Sequence, residues 1–125
     1  MKLKNNLYTV ERKQLEGLTG CYELKLNPDS FIYQAHFPGE PITPGVCIVQ
    51  IGKELVEDAL EKALEIKAIK NVKFLSVISP RESASITYVL KKVEVQEGEE
   101  DSVKVQLVVT DGVEPKAKIS FVLSI

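Results

Sequence analysis

Hydrophobic and polar positions follow two different periods along this chain, and the change of period divides it into three stretches. Tyr22, Leu24 and Leu26 alternate with polar neighbours, the two-residue period of a half-buried strand, and Asn27-Pro28-Asp29-Ser30 closes that strand as a turn. Leu7 to Val10 predicts a short strand ahead of it, and Phe31-Ile32-Tyr33 a brief extended piece after it. From Val46 to about Ile66 the spacing becomes three and four: Val49, Val56, Ala59, Leu60, Ala63 and Leu64 predict one long helix. Its first two turns are apolar almost all round, which predicts a deeply buried end. Glu57, Asp58, Glu61 and Lys62 give the second half one wet face.

Beyond the helix the period returns to two. Strands are predicted over Ile69 to Ser79, stopped by Pro80, then Ser83 to Val95, Ser102 to Thr110 and Ala117 to Ser124. The charged turn from Gln96 to Asp101 joins the second and third of these, and Asp111-Gly112 makes a hairpin of the third and fourth. One long helix and five or six antiparallel strands predict an α+β layout, with a sheet wrapped around a central helix. Residues 1–125 show no repeat and no linker, so a single domain is expected.

Composition narrows the function classes. A net charge of −2 without a Lys/Arg run argues against nucleic acid, and no apolar run approaches the ~20 residues needed to cross a bilayer. Two cysteines, Cys21 and Cys47, make no disulfide framework, and with one histidine they make no zinc site, so no metal is expected. The start lacks the apolar core of a signal peptide, and a cytoplasmic, reduced setting is expected.

Chemistry concentrates between the second strand and the helix. Ala35 to Gly45 holds three of the six prolines, two of the seven glycines and the only histidine. Proline fixes φ and glycine permits positive φ, so this density specifies one stiff loop conformation. A lone imidazole, His36, is thereby held beside a helix N-terminus at Gly45, where backbone N–H groups lack intrahelical partners. Without that context a lone histidine is more often structural than catalytic.

Written as His-Phe-Pro-Gly-x-Pro-x-x-Pro-Gly-Val, the loop resembles the active-site motif of the 3-hydroxyacyl-[acyl-carrier-protein] dehydratases, which have the hot-dog fold. The likeness extends through Asn71-Val72-Lys73-Phe74 to Pro80 and the hairpin from Val105 to Phe121, about residues 20 to 124 in all. The first 20 residues lack the aromatic, proline-containing opening usual there. Ala35 stands where Gly often precedes the histidine, and Pro80-Arg81-Glu82 where Pro-Gly-Asp is common.

The resemblance implies that His36 is the catalytic base, that the Gly45 amide donates to the enolate, and that Phe37, Pro44 and Val46 line the substrate site. It implies an acyl thioester on acyl carrier protein or coenzyme A, no cofactor, and a homodimer, an oligomer of dimers or a heterodimer. An imidazole with a pKa near ~6.5 suits proton abstraction at neutral pH, and a helix N-terminus suits an enolate. Arg81 and Lys73 are candidates to meet an acidic carrier.

One position departs from the pattern. The family places Glu or Asp fourteen residues after the histidine to protonate the departing hydroxyl; here Gln50 stands there. A carboxamide hydrogen-bonds but does not titrate, and losing a general acid typically costs about 10²–10⁴ in rate. Three routes around the loss are open. Glu54, one turn on, could supply the carboxyl, as though the family's Glu…Gln pair were exchanged. A related subunit could bring a carboxylate across a dimer interface. His36 alone could shuttle the proton while Gln50 orients the leaving water. Gln50 could also be a buried amide satisfied by a neighbour, and Glu54 a solvated or dimer-facing charge. Besides a dehydratase, the chain reads as a catalytically impaired acyl-thioester-binding or partner subunit. A hot-dog thioesterase comes third, because residues 46 to 53 hold no carboxylate for that chemistry.

Overall fold

The computed structural model describes residues 2–98 and 101–125, so Glu99 and Glu100 of the charged turn lie outside the described residues. Two strands, β1 (Tyr8–Glu16) and β2 (Thr19–Leu26), are followed by helices α1 (Phe31–Ala35) and α2 (Gly45–Leu60). Four strands complete the chain: β3 (Glu65–Phe74), β4 (Ser85–Gln96), β5 (Ser102–Thr110) and β6 (Pro115–Ser124). All six form one sheet in the order β1-β2-β4-β5-β6-β3, with every neighbouring pair antiparallel.

Register shifts at Val10/Arg12, Ile66/Ala68, Ile69/Asn71 and Leu90/Lys92 interrupt the ladders. Such bulges bend a strand and increase its twist, which curls this sheet around a helix. Inward-facing Tyr22, Leu24, Tyr88, Leu90, Leu107, Ile119 and Phe121 meet Ile48, Ile51, Leu55 and Val56 of α2 in one buried core. The helix sits very close to the sheet. A Cβ on Gly52 would lie 2.9 Å from Leu107 Cδ2 and 3.7 Å from Tyr88 Cε2, so only glycine lets the backbone approach this far. The buried Tyr88 hydroxyl donates to the Ile48 carbonyl at 2.7 Å, tying sheet to helix.

Two strands differ from their expected bounds, β1 running on to Glu16 instead of ending near Val10 and β3 covering Glu65–Phe74 instead of Ile69 to Ser79, and three further details differ from the sequence expectations. Phe31-Ile32-Tyr33 is helical rather than extended. Ser30 caps it by accepting the Ile32 N–H at 3.4 Å, a local bond that outweighs the strand propensity of its aromatic and β-branched residues. The central helix ends at Leu60, not near Ile66. Glu61 turns left-handed at φ 55° and the Lys62 N–H returns to the Glu57 carbonyl at 3.2 Å. Leu64 is still buried, but as the entry to β3, its N–H taken by Glu57 Oε2 at 2.8 Å. Apolar spacing carried across the turn made the two elements look like one. Finally, the apolar first turn is not buried throughout: Cys47, Ile48 and Val49 are, while Val46 is 71% exposed.

Candidate active site

The loop carrying His36 is assembled from main-chain bonds. His36 closes α1 with its N–H on the Ile32 carbonyl at 2.9 Å, and its own carbonyl accepts the Ile42 N–H at 2.8 Å. Between them Phe37 and Glu40 exchange N–H···O bonds of 3.1 and 2.9 Å, and the His36–Phe37 peptide is cis. Thr43 N–H reaches the Ile78 carbonyl at 2.8 Å, and the Thr43 and Tyr33 hydroxyls share a buried 2.8 Å bond beneath the loop. Arg81, exposed on the segment after β3, donates through Nη1 to the Gly39 carbonyl at 2.6 Å. The backbone of His36 is thus held on both sides while its ring is exposed, with the Phe37 ring edge-on at 5.6 Å.

That loop delivers the chain to α2. Pro44 is the N-cap without a side-chain capping bond, and its carbonyl accepts the N–H groups of Cys47 and Ile48 at 3.0 and 3.1 Å. Gly45 and Val46 therefore carry the first amides of the helix, which have no intrahelical acceptor and sit at the positive end of its dipole. The Phe74 ring lies directly on Gly45: a Cβ there would be 2.8 Å from Phe74 Cζ. Beside them runs an open, mainly apolar groove of about 410 Å³ lined by Ile42, Thr43, Ile48, Phe74, Val77 and Ile78. Donors for an oxyanion border a wall suited to hydrocarbon. Phe37 and Val46 are exposed on the surface and Pro44 is half-buried. Cys47, by contrast, is a core residue whose thiol is pushed up by burial, away from the thiolate a nucleophile needs.

Farther along α2 the chemistry changes. Gln50 is half-buried and donates through Nε2 to Glu54 Oε2 at 2.9 Å. Glu54 is only 8% exposed. Its Oε2 also accepts the Leu3 N–H at 2.8 Å, while Oε1 accepts the Lys4 N–H at 2.8 Å and the Tyr8 hydroxyl at 3.0 Å. Burial first, then the charge and hydrogen bond of Glu54, raise the Tyr8 pKa, which keeps that hydroxyl a donor. Gln50 and Glu54 are thus brought together as sequence spacing implied. The partners from Leu3, Lys4 and Tyr8 were not foreseen, since two of them are backbone amides that carry no sequence signal. Phe74 over Gly45 was likewise missed, and Arg81 grips the His36 loop. Among the described residues no group of three or more His, Cys, Asp or Glu side chains is placed to hold a metal.

Comparison with known proteins bears on the family and the fold. A family model described as ApeI-like, ApeI dehydratase, matches residues 12–101. The 3-hydroxyacyl-[acyl-carrier-protein] dehydratase FabZ of Wolbachia pipientis wMel is 36% identical over 55 residues, so the match spans about a third of each protein (36% of both). Among solved structures, the dehydratase heterocomplex ApeI:P from Xenorhabdus doucetiae is similar with a TM-score of 0.65 and 19% identity, over 93% of this chain and 96% of that one. A mutant thioesterase from Pseudomonas aeruginosa is similar with a TM-score of 0.57 and 14% identity, over 90% of this chain and 78% of that one. At these identities the two structures establish the fold, an α+β hot-dog sheet around one long helix.

Proposed function

This chain belongs to the ApeI-like dehydratases, and from that membership we propose that it eliminates water from, or adds it to, a 3-hydroxyacyl thioester. The thioester would be carried by acyl carrier protein or coenzyme A in acyl-chain synthesis. The observation that carries the reading is the exposed His36 ring, held by main-chain bonds in a loop that runs directly into the unpaired first amides of α2. In this reading His36 removes the α-proton, and the electron pair moves into an enolate whose oxygen is met by the Gly45 N–H. The enolate then expels the β-hydroxyl. Gln50 holds that hydroxyl, and the imidazolium returns the abstracted proton to it, so that water leaves and the carbon–carbon double bond forms. The apolar groove beside Phe74 takes the start of the acyl chain.

A second reading has its own observation. Gln50 stands where the family's acid belongs, and the structurally similar ApeI:P is a heterocomplex. The chain would then work with a related subunit that brings a carboxylate to His36, or serve as the partner whose own site is impaired. Hydration of 2-enoyl thioesters, followed by loss of their conjugated absorbance, separates the two when wild type, His36→Ala and Gln50→Glu are compared. Activity in wild type that His36→Ala removes supports the first reading. Silence in wild type with activity in Gln50→Glu supports the second, as does activity that appears only when a related subunit is added, and silence in all three with and without that subunit overturns both.

A further inference from the structure

We propose that Arg81 is a positioning residue for His36. Its guanidinium ties the tip of the loop that carries the imidazole to the segment that forms the groove wall, so that base and acyl chain keep one spacing. This deepens the dehydratase reading above and rests on it.

The turn beyond His36 is stiff within itself. Phe37 and Glu40 exchange N–H···O bonds of 3.1 and 2.9 Å, and the His36 carbonyl accepts the Ile42 N–H at 2.8 Å. Internal bonds fix the shape of a loop but not its place on the molecule. Residues 36 to 40 are all exposed, and a methyl group added at Gly39 would meet nothing within 4 Å, so packing does not seat the tip. Polar bonds do. The His36 N–H on the Ile32 carbonyl at 2.9 Å and the Thr43 N–H on the Ile78 carbonyl at 2.8 Å fasten the two ends. Two fastened ends define a hinge line about which the turn between them can rock. Arg81 Nη1, donating to the Gly39 carbonyl at 2.6 Å, is the third point, and it stops the rocking.

Arg81 itself has a firm base. Its N–H is on Ser79 Oγ at 3.3 Å, and the Glu82 and Ser83 N–H groups return to the Ser79 carbonyl at 3.2 and 2.8 Å. Earlier in the same segment the Leu75 and Ser76 N–H groups bond the Lys116 carbonyl at 2.9 and 3.3 Å. Between these anchors Val77 and Ile78 line the groove beside Gly45. The groove wall and the tie to the His36 loop are thus parts of one fastened segment. Arginine suits the task, because a charged donor makes a shorter and stronger bond than a neutral one and the planar guanidinium loses little freedom in forming it. It stands where the motif Pro80-Arg81-Glu82 departs from Pro-Gly-Asp, and glycine has no side chain to reach the loop. Arg81 therefore acts through Gly39 on a ring three residues earlier and touches neither the proton nor the thioester.

The test reads the loop and the reaction separately. His36 is the only histidine, so its ring ¹H–¹³C signals need no assignment variant. In Arg81→Met, which keeps the length of the side chain and loses every donor, those signals should shift. The backbone order parameters of Gly39 and Glu40 should fall from about 0.85 toward about 0.6. Turnover is followed with a 2-enoyl thioester of N-acetylcysteamine, which carries no phosphate and no carrier protein, so any attraction between Arg81 and a carrier drops out. Here kcat should fall about tenfold with KM held within about twofold. A 1 Å misplacement costs about 100-fold, and an exposed tie, once cut, frees the loop only part of the time. Arg81→Lys keeps a charged donor and should recover most of the activity and of the loop order. Unchanged ring signals in Arg81→Met overturn the proposal, as does an unchanged kcat, or Arg81→Lys behaving no better than Arg81→Met. A loss that falls on KM alone assigns Arg81 to substrate binding and overturns it too. If wild type processes no thioester, the dehydratase reading fails on that arm, while the ring signals and order parameters still decide whether Arg81 places the loop.

Discussion

One station lies at the N-terminal entry to α2 and a second five to nine residues along the helix from Gly45, and they are built on opposite rules. At the entry to α2, His36 of the preceding loop and Gly45 are held through their backbones, and what they offer to solvent is an imidazole face and helix amides. At Gln50 and Glu54 the backbone is ordinary helix and the side chains do the binding, with four donors on one carboxylate. The first station keeps its chemistry available because main-chain bonds carry the structural load. The second has spent the chemistry of its carboxylate on structure. A carboxylate in this fold therefore cannot be given a catalytic role from its position alone; its partners decide.

The comparison breaks most visibly at His36. Because its ring is exposed and only edge-on to Phe37, His36→Ala should change the unfolding free energy by no more than about 0.5 kcal/mol. Turnover should fall about 10²–10⁴-fold, the equivalent of about 3–5 kcal/mol of barrier, in the enoyl-thioester assay. A fall in melting temperature with activity intact would reverse the assignment of the two stations. Glu54→Ala should show its largest effect in stability. It strands the buried Leu3 N–H and Tyr8 hydroxyl and removes the acceptor of the part-buried Lys4 N–H, which costs about 3 kcal/mol in denaturant unfolding. The segment from Leu3 to Tyr8 should become the first to exchange its amide hydrogens.

The first station was legible in the sequence, whereas of the second only the Gln50–Glu54 pairing was, for a physical reason. Pro38, Gly39, Pro41, Pro44 and Gly45 restrict the backbone by their own chemistry, so they announce a stiff loop and a helix start wherever they occur. The alternation in β2, β5 and β6 announced their inward faces in the same local way, and Tyr22, Leu24, Leu107 and Phe121 are all buried. Glu54, however, looked like a residue on a wet face. Its ligands come from about fifty positions away, and two of them are N–H groups that every non-proline residue possesses. The end of α2 was hidden differently: Ala63 and Leu64 kept the helical spacing while Glu61 had already reversed the chain.

Gly52 lies between the stations and sharpens the contrast by moving both at once. A methyl group there meets Leu107 Cδ2 at 2.9 Å and Phe121 Cζ at 3.6 Å inside the core, so Gly52→Ala should lift the helix or displace Leu107, at a cost of about 2 kcal/mol. The better helix propensity of alanine, about 1 kcal/mol, offsets part of that. If α2 moves as a rigid body, stability and activity fall together. If only Leu107 yields, stability falls and both stations stay as they are.

The smallest effect lies at the wet end of α2, where Asp58 joins the helix to β1 and β2. Its Oδ2 accepts the Tyr22 hydroxyl at 2.7 Å and pairs with Lys13 Nζ at 3.1 Å. Partial burial would raise its pKa, but the Tyr22 and Lys13 hydrogen bonds and the charges of Lys13 and Lys4 outweigh it and hold the carboxyl below its ordinary value. A folded-state pKa below the unfolded one means the stabilisation is complete above the unfolded carboxylate value, about pH 4, and is lost as pH falls through the lower folded value. Because a third of the side chain is exposed (33%), the contribution should stay under about 1 kcal/mol. Thermal melts of wild type and Asp58→Asn should therefore be separated by a constant gap at neutral pH, and the gap should close below about pH 4 as the wild type loses the charge that the variant never had. The absence of any gap at neutral pH would mean that the Tyr22 hydrogen bond, which a neutral side chain can also accept, carries the contact and the ion pair adds nothing. Asp58 would then differ from Glu54 in kind as well as in degree, because the Glu54 carboxylate meets donors that one neutral amide oxygen cannot serve on both sides.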